Sequence, residues 1–421
     1  MNSRERVSRI INHQEADRVP LDLGGTGQTG MQVSTIYKWR QALHLDPPGT
    51  PVKVVEPFQM LGEIKPDLQE LVGADCLGAG GSSNFFGFKN EDWKPWTAFD
   101  GTPVLVPGQF NTVPSEDGSI LQYPQGDQSA PACARMPKGG FYFDSIVRQP
   151  PIDEDHMNPA DNDEEFKPID EQDLQAIKTQ VDDLYAHTDK AIILVLPHMA
   201  FGDIALVPGP TVKHPKGIRD MEEWYMSTVS RKDYIYEVFD RQCEVALENL
   251  PKIYAAAGDK PSIAWVSGTD FGAQDNCFLS PRSFRALYKP FYTKVNGWIH
   301  SHTPWKTYAH TCGSIMPLIP DLIEAGFDIL NPVQTTAKNM DPQTLKDKFG
   351  SRVTFWGGGI DTQHCLPFGT PDEVRENVKK NLEIFMPGGG YTFAAIHNIQ
   401  SGVPVENLAA MFETVKKYGS Y

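Results

Sequence analysis

Eight short apolar runs, each ending in a glycine or polar turn, constrain this chain more than any other feature. They occupy residues 18–25, 74–80, 191–196, 262–267, 306–310, 327–330, 353–356 and 391–396. Runs of this length rich in β-branched and aromatic residues, closed by turn residues, read as strands. Helical spacing lies between most of them. Leu174, Ile177, Val181 and Leu184 form one apolar stripe, with Asp170 as its expected N-cap. Residues 219–257 carry at least one long helix. Leu318, Ile319, Leu322 and Ile323 mark another, stopped at Gly326. Val374, Val378, Leu382 and Phe385 mark one more, opened by Thr370-Pro371. At the start of the chain, Val7, Ile10 and Ile11 predict a helix capped by Ser3.

Strands alternating with helices imply a parallel sheet covered by its crossovers. Eight such units closing on themselves make an α/β fold of the (β/α)8 TIM-barrel type, here one domain over residues 1–421. A doubly wound open sheet has the same alternation. Residues 96–170 interrupt the pattern with many prolines and glycines, and read as an insertion. Its end, residues 151–171, holds nine acids against one lysine and is expected to be solvated. A lid over the barrel mouth or a docking surface is the functional reading of the insertion, and a disordered loop the bland one.

A net charge of −16 argues against nucleic acid and anionic membrane surfaces as partners. No apolar run approaches the length of a membrane span. The first residues lack the apolar core of a secretory signal. Six cysteines, Cys76, Cys133, Cys243, Cys277, Cys312 and Cys365, have no paired spacing, which points to reduced thiols and a cytoplasmic location.

Reactive residues of such a barrel sit at the C-terminal ends of its strands. Those ends carry Asp22, Asp270, His310, Cys312, Asn331, Asp361, His397 and Asn398. His310 and Cys312 stand two apart on one strand, so they face the same side. Imidazole and thiolate are zinc ligands, and His397 would complete three protein ligands with one position open. Taken alone, a histidine or cysteine in a strand is more often core filler. The glycine turns at 24–27 and 357–359 lack the spacing of phosphate-cradling loops. Cys277 and Cys365 read as structural.

Three segments carry a resemblance: Arg4-Glu-Arg6 through Asp17-Arg-Val-Pro20; Trp356-Gly-Gly-Gly-Ile-Asp361 with Phe368-Gly-Thr-Pro-Asp-Glu-Val374; and His397-Asn-Ile399 through Val403-Pro-Val-Glu-Asn407. Together they resemble the uroporphyrinogen decarboxylase-like superfamily, whose fold is a (β/α)8 barrel. The resemblance implies one of two chemistries. One is metal-free decarboxylation of a porphyrinogen. The other is zinc-dependent methyl transfer between a corrinoid (cobalamin) protein and a small substrate. The methyltransferases carry His-x-Cys on a mid-barrel strand, as at His310 and Cys312, and a cysteine ten residues before the asparagine of Pro-x-Glu-Asn. Here that position is His397, a departure that a zinc site tolerates.

The arginine-rich turn of the decarboxylases is replaced by Leu23-Gly-Gly-Thr-Gly-Gln-Thr-Gly30, and 78–84 has no aspartate. A porphyrinogen's carboxylates need such arginines. The resemblance therefore implies a methyltransferase, with a carboxy-lyase or a non-catalytic corrinoid- or tetrapyrrole-binding barrel as alternatives. His310, Cys312 and His397 would hold zinc. Asp270 and Asp361 would be catalytic, and Asp22, Gln274, Asn331 and Asn398 would bind substrate. No Asp-x-His-x-x-Gly corrinoid signature occurs, so the corrinoid would arrive on a separate partner protein. A homodimer stays open.

Overall fold

A computed structural model of the protein describes residues 1–421. Seven of the eight runs become one parallel sheet: β1 (Cys76–Ala79), β2 (Ala191–Val195), β3 (Ile263–Ser267), β4 (Lys306–His310), β5 (Ile329–Asn331), β6 (Thr354–Trp356) and β7 (Tyr391–Thr392). Each pairs only with its sequence neighbours. The eighth run is too short in regular geometry to count as a strand, yet it closes the ring. Phe393 N–H donates to the Pro20 carbonyl at 2.8 Å, and Asp22 N–H donates back to Phe393 at 2.9 Å. On its other side, Asp75 N–H donates to the Leu21 carbonyl at 2.7 Å. Residues 20–22 are thus the stave between β7 and β1, and the fold is a TIM barrel rather than an open sheet.

The strands are apolar on both faces because both are covered. Inward-facing Cys76, Ile193, Ile263, Tyr308, Ile329 and Trp356 fill the barrel, and Val7 of the first helix, Ser3–Ile10, and Ile11 just past its end plug the floor. Outside, the helices Glu171–His187, Lys232–Ala257, Pro371–Phe385 and Val405–Tyr418 bury their stripes against the sheet. A Leu or Val such as Leu382 or Val378, buried there, contributes about 1.5–3 kcal/mol. Asp170 caps its helix by accepting from Asp173 N–H at 2.8 Å, and Thr370 opens its own with a capping box. The first helix is capped by Asn2, not Ser3: the Asn2 side chain reaches Glu5 N–H at 2.8 Å, and Ser3 is already helical.

Residues 94–145 do leave the alternation. They supply two strands to a four-stranded sheet with Val52–Glu56 and Leu61–Gly62, then form a four-stranded antiparallel meander. Phe143 wedges against Phe86 and Phe110, with ring centroids 5.7 and 5.9 Å away. The following acidic stretch is not simply solvated. Arg219 pairs with Glu164 and Glu165, Arg231 with Glu154, and Arg241 with Asp163. Arginines far along the chain fold back and pair four of its nine acids. All six cysteines are unpaired, and no helix is long and apolar enough to cross a membrane.

Candidate metal centre

β4 ends at His310, and Cys312 follows on the first turn of the loop. Gly313 makes that turn feasible: its φ is +87°, and a Cβ there would lie 2.3 Å from the Gly272 backbone. The loop delivers Cys312 Sγ to 3.5 Å from His310 Nε2. His397, five residues beyond β7, comes across the mouth so that its ligand nitrogen, Cys312 Sγ and the His310 nitrogen all lie within 4.8 Å of one another. The two imidazole centroids are 5.4 Å apart.

Register fixes the tautomer of His310. β4 and β5 pair His310 with Asn331. Asn331 Nδ2 donates to the Trp356 carbonyl at 2.9 Å, which leaves its Oδ1 to accept from His310 Nδ1 at 2.6 Å. The proton is therefore on Nδ1, and the Nε2 lone pair points toward Cys312. A neighbour that holds one ring nitrogen is what readies the other for a metal. Asp270 serves the third wall. Its Oδ1 accepts from Cys312 N–H at 2.6 Å and lies 3.8 Å from His310 Nε2. It caps no helix.

Burial lowers both histidines to about 4, with the neighbouring His310 lowering His397 further, so both are neutral and able to ligate. Burial also pushes the Cys312 thiol well above its ordinary range, and the nearby Asp270 carboxylate adds to this. Burial raises Asp270 in the same way, against the opposing Cys312 N–H. No lysine or arginine acts on any of these groups. The donor set fits zinc. Tetrahedral bond lengths of 2.3 Å to sulfur and about 2.05 Å to nitrogen put those two ligand atoms about 3.6 Å apart, which the Cys312–His310 separation matches. A dication would also supply the positive charge that Cys312 lacks.

Four other expected site residues are each held by protein partners. Asp22 is buried, accepts from Trp356 Nε1–H and Gly25 N–H at 2.8 Å each, and is raised by burial to about 6. Asn398 joins two loops, accepting from Gly30 N–H at 2.9 Å and donating to Gln59 at 2.6 Å. Gln274 sits on the rim, donating to the Thr336 carbonyl at 2.6 Å and accepting from Gln334 at 3.0 Å. Asp361 accepts from Gln363 and His364 N–H groups and so braces the turn after β6.

The structure adds residues that the sequence reading passed over. Gln334 accepts from Gly313 N–H at 2.8 Å, and the Tyr225 hydroxyl donates to the Asp270 carbonyl at 3.0 Å. Asp203 and Trp265 reach the mouth beside Gly268. A Gly-Asp pair shortly after a strand end was the only available signal for Asp203.

Residues 216–418 match the family model described as Uroporphyrinogen decarboxylase (URO-D). Among solved structures, the chain is similar to a methyltransferase from Methanosarcina mazei, at 16% identity and a TM-score of 0.57, covering 99% of each chain. That likeness speaks for the fold. No curated protein matches. His310, Cys312, His397 and Asp270 all fall inside the matched segment, so the part of the chain that carries the candidate site is similar to uroporphyrinogen decarboxylase, as the motifs suggested.

Proposed function

We propose that the protein is a zinc-dependent methyltransferase that moves a methyl group between a corrinoid carried by a separate protein and a small substrate. One observation carries the reading: a nitrogen–sulfur–nitrogen ligand set within 4.8 Å at the barrel mouth, with the His310 tautomer held by Asn331. The similar solved structure, itself a methyltransferase, supports it.

In this reading His310, Cys312 and His397 hold zinc. Zinc bound there supplies Lewis acidity to the methyl donor or acceptor. Asn331 orients His310. Asp270 positions the Cys312 loop through the Cys312 N–H and brings negative charge to the edge of the site. Asp361 braces the β6 turn at the same rim. The insertion, residues 96–170, stands on the loops after β1 and β2 through Phe143 and Arg148, and there it flanks the docking corrinoid protein.

The test is metal content. Purified wild type is expected to carry about one zinc per chain, and Cys312→Ala almost none. With a methylated corrinoid protein, the cobalt absorbance should change only for the loaded enzyme. A wild type free of zinc, or a Cys312→Ala variant that retains it stoichiometrically, would overturn the reading and favour metal-free decarboxylation.

A further inference from the structure

Successive backbone amides of the ligand loop, from Thr311 to Ser314, are each held by a different partner. Thr311 N–H donates to the Asn331 carbonyl at 2.7 Å, and Ser314 N–H to the Ala273 carbonyl at 2.8 Å. Between them, Cys312 N–H donates to Asp270 Oδ1 at 2.6 Å and Gly313 N–H to Gln334 Oε1 at 2.8 Å. These two amides flank the Cys312 α-carbon, so the side chains that hold them also aim the thiol. Asp270 comes from the loop after β3 and Gln334 from the loop after β5, and β4 lies between those strands. The grip therefore comes from both sides.

The β3 loop and the ligand loop meet backbone to backbone. A Cβ on Gly272 would lie 2.8 Å from the Cys312 carbonyl and 2.9 Å from Ser314 N. Hydrogen bonds, rather than side-chain packing, set their spacing. Gln334 is itself held in one orientation. Its Nε2 donates to Gln274 Oε1 at 3.0 Å, and Gln274 Nε2 donates to the Thr336 carbonyl at 2.6 Å. Turning the Gln334 amide over would set N–H against N–H at Gly313 and oxygen against oxygen at Gln274. The residue before it, Val333, has a φ of +47°, where a β-branched side chain is strained. Such strain persists only where the surroundings impose it.

We propose that Gln334, braced by Gln274, is a positioning residue for the metal: through the Gly313 amide it holds the Cys312 sulfur where it and His310 can share one ion. This rests on the zinc reading. Asp270 holds only the amide that precedes the Cys312 α-carbon; Gln334 holds the one that follows it. Metal–ligand distances tolerate about 0.2 Å, so a small turn of the loop is enough to lower affinity. Gln274, expected to bind substrate, is the outer brace.

The experiment uses zinc and its substitute cobalt(II), whose visible absorption reports ligand geometry and whose thiolate charge-transfer band reports the sulfur bond. Gln334→Met keeps the length and loses the acceptor; it should weaken zinc about tenfold in chelator competition and shift the cobalt bands. Gln334→Glu keeps the acceptor and should restore both, since Gln274 can turn its amide over to donate. Gln274→Met, at an exposed position, should weaken zinc by less than Gln334→Met does. Thermal unfolding of the metal-free protein is read on the same samples, because a merely structural role would lower the melting temperature and leave the cobalt bands of folded protein unmoved. A folded Gln334→Met with wild-type affinity and bands overturns the role of Gln334 while leaving the metal reading intact. So does a Gln334→Glu that loses as much as Gln334→Met. If Gln334→Met does not fold, a Gln274→Met with unchanged affinity overturns it. A wild type that takes up neither metal overturns the parent reading and this role together.

Discussion

At the floor of the barrel Asp75 is fully buried and every contact it offers is answered; at the mouth Asp203 is almost as buried and one of its oxygens is not. Asp75 receives Arg6 at 2.7 Å, Arg18 at 2.8 Å and Leu21 N–H at 2.9 Å. Arg6 also reaches Asp17, whose carboxyl is held well below its usual range by that hydrogen bond. The mouth reverses this. Asp22 and Asp203 have no basic partner, and burial raises them to about 6 and 7. Charge at the floor is closed upon itself and fixes the fold. Carboxyls at the mouth are held by neutral hydrogen-bond donors without a counter-charge, a pattern more common at functional sites than in structural ion networks.

The largest effect should come from the floor. Asp75→Ala leaves Arg6 buried without its inner partner, and should cost about 3–5 kcal/mol in a urea unfolding series. A loss under about 1 kcal/mol would erase the contrast. Next comes Asp22. Its folded pKa is raised, so between its unfolded value and about 6 the folded state binds more protons than the unfolded one. Its contribution is therefore present at low pH and lost as pH rises through 6, by about 2–3 kcal/mol. Asp22→Asn should flatten that part of the stability-versus-pH curve, whatever its constant offset. An unchanged slope would place the titration elsewhere.

Third, Asn331→Leu should weaken zinc about 10–100-fold in chelator competition, with the trio itself intact. Unchanged affinity would mean that His310 orients itself. The smallest effect belongs to Asp203→Asn, which should change stability by less than about 1 kcal/mol in either direction. A loss as large as that of Asp75→Ala would make Asp203 a floor-type residue.

Much of this was legible, and what was not has a common cause. Hydrophobic runs located all seven strands, because a strand buried on both faces has no choice of composition. His310 and Cys312 could be paired from their spacing alone. Asn331 was read as a substrate residue because its real partner is set by lateral register between β4 and β5, which spacing along one strand does not report. Asp270 was placed at the site by its position just past a strand end, but its contact with the Cys312 N–H, 42 residues away, is one that no local pattern reports. The acidic stretch at 151–171 looked solvated because Arg219, Arg231 and Arg241 lie in later helices and turns. Asp203 belongs to no periodic element, so no pattern could single it out.

The stave at residues 20–22 also sets an order of events. Its neighbour on one side, Leu21 against Asp75, is made early; its neighbour on the other, Phe393, is made hundreds of residues later. A nascent chain can lay down β1 to β6 and still have an open cylinder. Contacts so distant in sequence form late and slow the final step. His397 lies just past that last seam, and Asn398 is tied to Gly30 across it. The proposed third ligand thus reaches its place only once the ring shuts, so an unfinished or unclosed chain would hold His310 and Cys312 in register but offer a metal only two of the three proposed ligands.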